Sequence, residues 1–307
     1  MTTPAWEKTS GRGRRFAVSR LAEILGEVCE AAELSASGAT LMRYTNNAVF
    51  RLAEAPVVVR IVASDALRHR VEKVVRVATW LAEHDVPSVR LYAGLSQPVR
   101  IGGYAATVWD LVPDGGRAPR ATDLARLLRR MHELPAPPFP LPAWAPLHDV
   151  RGRIGEADQL ADSDRELLLT ACEEVGARLE ALRFVLPRSL VHGDAHLGNL
   201  IRSPDGPVLC DFDSSCVGPP EWDLTPLAVG VVRFGDSLGR YRELARGYGF
   251  DVLAWEGFEV LRDVRELKLI TSVLPILSSR PQVRPELQRR LAAFRDGDRA
   301  ARWSRYR

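Results

Sequence analysis

The chain has 307 residues, 46% hydrophobic and 26% charged, an ordinary globular balance with room for two sub-domains and a sizeable core. A net charge of +3 argues against nucleic acid as a partner, and no run approaches the roughly 18 apolar residues of a membrane span. The 42 basic residues include only three lysines, Lys8, Lys73 and Lys268, so any role that needs a lysine falls to one of these or passes to arginine. The four cysteines, Cys29, Cys172, Cys210 and Cys216, form no C-x-x-C pair and read as reduced thiols. The N-terminus carries charge with no apolar run behind it, unlike a signal peptide, and the expected location is the cytoplasm.

In chain order, residues 1–15 read as a flexible tail. Apolar spacing predicts an amphipathic helix over 16–34. "ATLMRY", "AVFRL" and "PVVVRIV" are β-type runs broken by "TNN" (45–47) and "AEAP" (53–56), which predicts a hairpin and a third strand. Residues 64–84 open on a Ser or Asp cap and place Val71, Val74, Val75, Ala78 and Ala82 on one helical face. "SVRLY", "QPVRI" and "YAATVWDLV" add two or three strands. After "PDGG" (113–116) helices dominate, at 121–133, 164–183, 222–232, 236–248, 253–277 and 283–301. "LPAPPFPLPAWAP" (134–146), with six prolines, reads as an extended connector. Within this half, 188–213 is the exception, reading as short strands around a loop. The fold class is α+β and bilobal: a small antiparallel β-rich lobe at 16–112 with one main helix, and a larger, mostly helical lobe at 113–307. A cleft between such lobes is a natural ligand site.

The chemistry-bearing residues concentrate in "HGDAHLGNL" (192–200) and "VLCDFDSS" (208–215). Polar groups in a mostly apolar stretch are costly to bury unless paired or bound to something. Three readings compete. A metal-dependent hydrolase would draw ligands from His192, Asp194, His196 and Asp211, although no further His or Cys follows at ligand spacing. A polar loop would spend the same groups on backbone hydrogen bonds. The third reading is phosphoryl transfer.

"HGDAHLGN" sets Asn199 five residues after Asp194, the spacing of the protein-kinase loop H-R-D-x-x-x-x-N, and "DFD" begins 17 residues after Asp194, where kinases carry D-F-G. H-G-D-x-H-x-x-N followed by D-F or D-W, with "GPPEWDL" (218–224) downstream, resembles the aminoglycoside phosphotransferase and choline kinase group over roughly residues 40–270. The resemblance implies a protein-kinase-like fold, Mg²⁺, and ATP or GTP as co-substrate. It makes Asp194 the group that orients the acceptor hydroxyl and takes its proton, beside His192, which braces the loop, and it makes Asn199 and Asp211 the Mg²⁺ ligands. His196 is a loop brace or a phosphate contact. Asp213 stands behind the metal ligands, and Asp223 caps or ties the loop. Backbone groups at Asp110, Leu111 and Val112 would meet adenine.

The first lobe departs from the pattern. Arg60 occupies the strand position of the kinase lysine, on one face with Val58 and Val62, where a guanidinium can still bind phosphate. The glutamate expected on the following helix falls nearer Val74. Glu72 is about 200° away from that position and reads as a surface charge. Asn46 and Asn47 offer a tight turn with backbone donors in place of a glycine-rich phosphate loop. These departures keep open a nucleotide-binding pseudokinase with little transfer. Glu221, Asp263 and Glu266 are the carboxylates expected near the motif loops, where they would favour a cationic acceptor such as an aminoglycoside or amino-alcohol. The expected partners are nucleotide and a small-molecule acceptor, with neither nucleic acid nor membrane, for a monomer or homodimer.

Overall fold

Five of the six residues in Val57–Val62 are β-branched, and such side chains fit a pleated, half-buried surface. This run forms the middle strand of a five-stranded antiparallel sheet in a computed structural model that describes residues 12–44, 47–62 and 65–306. The elements are α1 (Arg12–Ala31), β1 (Thr40–Tyr44), β2 (Asn47–Arg51), β3 (Val57–Val62), α2 (Asp65–Glu83), β4 (Val99–Ile101) and β5 (Tyr104–Asp110), with strand order β1-β2-β3-β5-β4. Alternation along β3 buries Val57, Val59 and Ile61 in a core shared with Leu21, Ile24, Leu25 and Val28 of α1. Arg60 is therefore on the other face, in register with Val49 and Thr107.

The remaining elements are α3 (Ala121–His132), α4 (His148–Gly155), α5 (Asp162–Glu180), β6 (Ser189–Val191), β7 (Leu200–Ile201), β8 (Val208–Leu209), β9 (Cys216–Gly218), α6 (Glu221–Phe234), α7 (Leu238–Tyr248), α8 (Phe258–Thr271) and α9 (Arg284–Arg295). Helices α4, α5 and α8 share a core through Val150, Ile154, Leu168, Cys172, Leu261, Val264 and Leu267. The chain divides into two compact units. The first comprises 1–119 with 137–141 and 198–215, and the second 120–136, 142–197 and 216–307.

Several boundaries differ from expectation. Helix α1 begins at Arg12, inside the stretch read as a tail, and residues 1–11 lie outside the described residues. "SVRLY" is not a ladder strand. It makes single bridges, Ser88 with Leu209 and Leu91 with Trp109, and the Val89 N–H donates to the Leu209 carbonyl. The helix expected over 253–277 is reduced to α8: a separate 3-10 turn at Val252–Ala254 precedes it, and beyond its end Pro275 lacks the N–H needed to continue it. Among the described residues no helix is long and apolar enough to cross a membrane, and none of the four cysteines is placed in a disulfide.

Candidate active site

Strand β6 runs straight into His192-Gly193-Asp194; of three consecutive residues at the start of α6, Trp222 and Asp223 clamp this turn and Glu221 holds the segment leading into β6. Glu221 Oε1 accepts the N–H groups of Val185 and Leu186 at 2.7 and 2.8 Å. Trp222 Nε1 donates to the Gly193 carbonyl at 2.9 Å. Asp223 accepts the N–H groups of His192 at 2.6 Å and Gly193 at 2.8 Å. It also accepts from His132 Nε2 at 3.0 Å, which leaves His132 Nδ1 to accept the Tyr248 hydroxyl at 2.8 Å. Burial, then the Asp223 charge, pushes the Tyr248 hydroxyl well up, so it stays a donor. Gly193 sits at φ 83°, a region that L side chains avoid. His192 is fully buried, and its Nδ1 accepts the Asp194 N–H at 3.4 Å. Buried in this way, it braces the turn from within.

Asp194 is the exposed member of this loop, with 38% of its side chain accessible. Arg265 Nη1 of α8 donates to its Oδ1 at 2.7 Å, and His196 Nε2 stands 3.8 Å from its Oδ2. Burial alone would raise the Asp194 pKa, but the charges of Arg265 and Lys268 outweigh it and hold the carboxyl well below the usual range. Asp194 is thus ionised throughout the physiological pH range. Arg265 and Lys268 stand one turn apart on α8, and no motif marks Arg265. The available signal was the scarcity of lysine, because two of only three lysines lie at these loops.

The second group of motif residues belongs to the first unit. In the hairpin of β7 and β8, Leu200 pairs with Leu209, and the Cys210 N–H donates to the Asn199 carbonyl at 3.0 Å. This register brings Asn199 and Asp211 to one end of the hairpin. Asp211 adopts φ 68°, ψ 67°, a left-handed conformation uncommon outside glycine and one of the strained positions that gather at functional sites. Two residues on, the Asp213 carboxylate takes Arg60 Nη2 at 2.5 Å. Lys73 Nζ of α2 donates to the carbonyls of Asp213 at 2.6 Å and Ser215 at 2.9 Å. Burial would raise the Asp213 pKa, but Arg60, a hydrogen bond with Asp211 and the Lys73 charge hold it below the usual value.

Asn199 and Asp211 offer oxygen donors, the type a hard divalent cation prefers. Among the described residues no group of three or more His, Cys, Asp and Glu is arranged to hold a metal. Burial, then the Asp211 carboxylate, pushes the Cys210 thiol up to about 12. A zinc-type cage therefore does not fit. Two protein oxygens completed by phosphate oxygens and water are the donor set Mg²⁺ takes in nucleotide sites.

Other expected site residues are placed as follows. Asn46 lies outside the described residues, and Asn47 pairs with Val62 in the sheet. Glu72 forms an exposed ion pair with Arg100 at 2.6 Å, away from Arg60. The Asp110 and Leu111 N–H groups, expected near the base of a nucleotide, donate to the carbonyls of Arg90 and Pro56. The three carboxylates expected to face a cationic acceptor are all buried. Besides Glu221, Asp263 binds Arg178 and Arg299, while Glu266 binds Arg233 at 2.6 and 2.8 Å and Arg262 at 2.7 Å. Glu221 thus holds backbone N–H groups, while Asp263 and Glu266 neutralise internal arginines, an arrangement that does not favour the expected contact with a cationic acceptor.

Solved structures share this fold. An amicoumacin kinase in complex with AMP-PNP, Ca²⁺ and Ami superposes with a TM-score of 0.72 at 13% identity, covering 94% of this chain and 98% of that one. The choline kinase LicA from Streptococcus pneumoniae gives 0.64 at 14% identity, covering 89% and 99%. The aminoglycoside phosphotransferase APH(3'')-Id from Streptomyces rimosus gives 0.59 at 23% identity, covering 82% and 98%. No curated protein matches the chain. Residues 42–262, well over half of the chain, match the phosphotransferase enzyme family, APH, and the protein belongs to that family.

Proposed function

We propose that the protein transfers the γ-phosphoryl group of ATP or GTP to a hydroxyl of a small molecule, with Asp194 as the catalytic base. The acceptor oxygen forms a bond to the γ-phosphorus, and the bond from that phosphorus to the β–γ bridging oxygen breaks. The hydroxyl proton passes to the Asp194 carboxylate, and the nucleoside diphosphate leaves. Asn199 and Asp211 would hold Mg²⁺, which neutralises charge on the phosphate oxygens when bound. Arg60 supplies the fixed positive charge that kinases take from a lysine, and the Asp110–Val112 backbone meets the base of the nucleotide.

The observation that carries this reading is the state of Asp194: an accessible, ionised carboxylate on a turn whose backbone is pinned by Asp223. A base that mainly orients a hydroxyl needs such fixed geometry more than high basicity. Calorimetric titration of the protein with AMP-PNP, with and without Mg²⁺, tests the nucleotide half. Mg²⁺ should tighten binding in the native protein and fail to do so in Asp211→Ala. Mg²⁺-independent binding in the native protein would count against the reading.

A further inference from the structure

We propose that the acceptor carries a carboxylate or phosphate group, held by Arg265 and Lys268 beside Asp194. This inference rests on the phosphotransfer reading and names the class of molecule it acts on.

Arg265 and Lys268 stand three residues apart on α8, so both project from one face of the helix. The Arg265 guanidinium has five N–H donors, and among the described residues its one hydrogen bond is to Asp194. Its side chain keeps 11% of its surface accessible. Lys268 is half-buried, and its Nζ lies 5.2 Å from the Trp222 ring centroid. Among the described residues its ammonium has no hydrogen-bond acceptor and no ion pair within 4 Å. A half-buried ammonium of this kind is costly to keep charged and gains from an anion that takes up its donors.

The charges around it point the same way. Lys268 feels Arg265 on its own helix, Arg153 and Asp149 on α4, and Asp194 on the loop after β6. Three cations face two carboxylates, before His196 is counted. The three carboxylates expected from the sequence to meet a cationic acceptor, Glu221, Asp263 and Glu266, are buried and engaged inside the fold. An acceptor bearing amines would bring a further cation beside Arg265 and Lys268. A hydroxy acid or a phosphorylated polyol would present its hydroxyl to Asp194 and its anionic group to the two cations.

Gluconate, sorbitol and glucosamine are six-carbon polyhydroxy compounds of similar size, respectively anionic, neutral and cationic, and they make the test direct. Their binding is measured calorimetrically with AMP-PNP and Mg²⁺ present, and their phosphorylation is measured with ATP. Gluconate should bind at least tenfold more tightly than glucosamine. Lys268→Met, which keeps an apolar stem over Trp222, should abolish that preference while leaving AMP-PNP affinity unchanged. Arg265→Gln serves as an independent second variant with the same expected direction. Equal or tighter binding of glucosamine, or no binding of any of the three by a protein that still binds nucleotide, overturns the proposal. A Lys268→Met loss in turnover of the same size for all three compounds, with unchanged acceptor affinity, also overturns it, because the lysine would then serve the phosphoryl group. Loss of Mg²⁺-dependent nucleotide binding would instead place the failure in the phosphotransfer reading.

Discussion

Arg60 and Asp213, 153 residues apart in sequence, bring a guanidinium nitrogen within 2.5 Å of a carboxylate oxygen. In this chain the strand cation is thus paired with the third residue of the DFD motif, while Glu72 of α2 faces Arg100. Helix α2 contributes Lys73 to the carbonyls of Asp213 and Ser215. The side chains of Arg60 and Asp213 are only 12% and 19% exposed, so removing one strands the other's charge. Asp213→Ala should destabilise the protein by roughly 1–3 kcal/mol in urea unfolding. It should also raise the KM for nucleotide as Arg60 loses its orientation. Arg60→Lys should retain part of the nucleotide affinity that Arg60→Ala loses, because a lysine keeps the charge without the planar fork.

Asp223 should be the most damaging position outside the reacting groups. It is fully buried and holds two backbone N–H groups and His132. Asp223→Ala should cost about 3–5 kcal/mol in chemical unfolding. Asp223→Asn keeps the volume but turns an amide donor toward N–H groups. Its kcat should fall about 100-fold, as expected when a catalytic group shifts by about 1 Å.

Gly193→Ala should cost about 1–2 kcal/mol in stability, because alanine must adopt φ 83° there. Relief of that strain displaces Asp194, so kcat should fall while KM for nucleotide holds. Equal kcat in the two proteins would show that the turn tolerates the left-handed conformation without moving the carboxylate.

Lys268 gives a pH signature. Burial first, then the charges of Arg265 and Arg153, lower its pKa to about 8, against the opposing pull of Asp194 and Asp149. The unfolded chain releases the same proton near 10.4. Between these values the unfolded state binds more protons, so this group makes stability rise with pH from about 8 to about 10. Denaturant unfolding at pH 7 and pH 9.5 should show that rise in the native protein, and Lys268→Met should lack it. Affinity for an anionic acceptor should change the opposite way, weakening as pH passes about 8.

What was legible in the sequence was local. The period-two run around Arg60 and the helical spacing of α2 were visible because each is a contiguous pattern. The HGD and DFD motifs stood out as polar residues in apolar surroundings. The Asp223 clamp was half visible, since "GPPEWDL" marked a tie without naming His132 as its other partner. Arg265 and Lys268 were hidden because, in "LRDVRELKL", charges at helical spacing look like a solvated face. Only the packing of α8 against the Trp222 end of α6 turns them toward Asp194. Glu266 and Asp263 misled for the converse reason. Nothing local separates a carboxylate facing a ligand from one that neutralises Arg233 or Arg299 inside the fold.

The most direct measurement is phosphate transfer from ATP by the native protein and by Asp194→Ala, with AMP-PNP affinity measured on both. The native protein should phosphorylate a hydroxylated acceptor only when Mg²⁺ is present. The variant should lose about 100- to 10,000-fold in kcat while binding nucleotide equally well. Transfer by Asp194→Ala at the native rate, or nucleotide binding by the native protein with no transfer to anionic, neutral or cationic acceptors, would contradict the account.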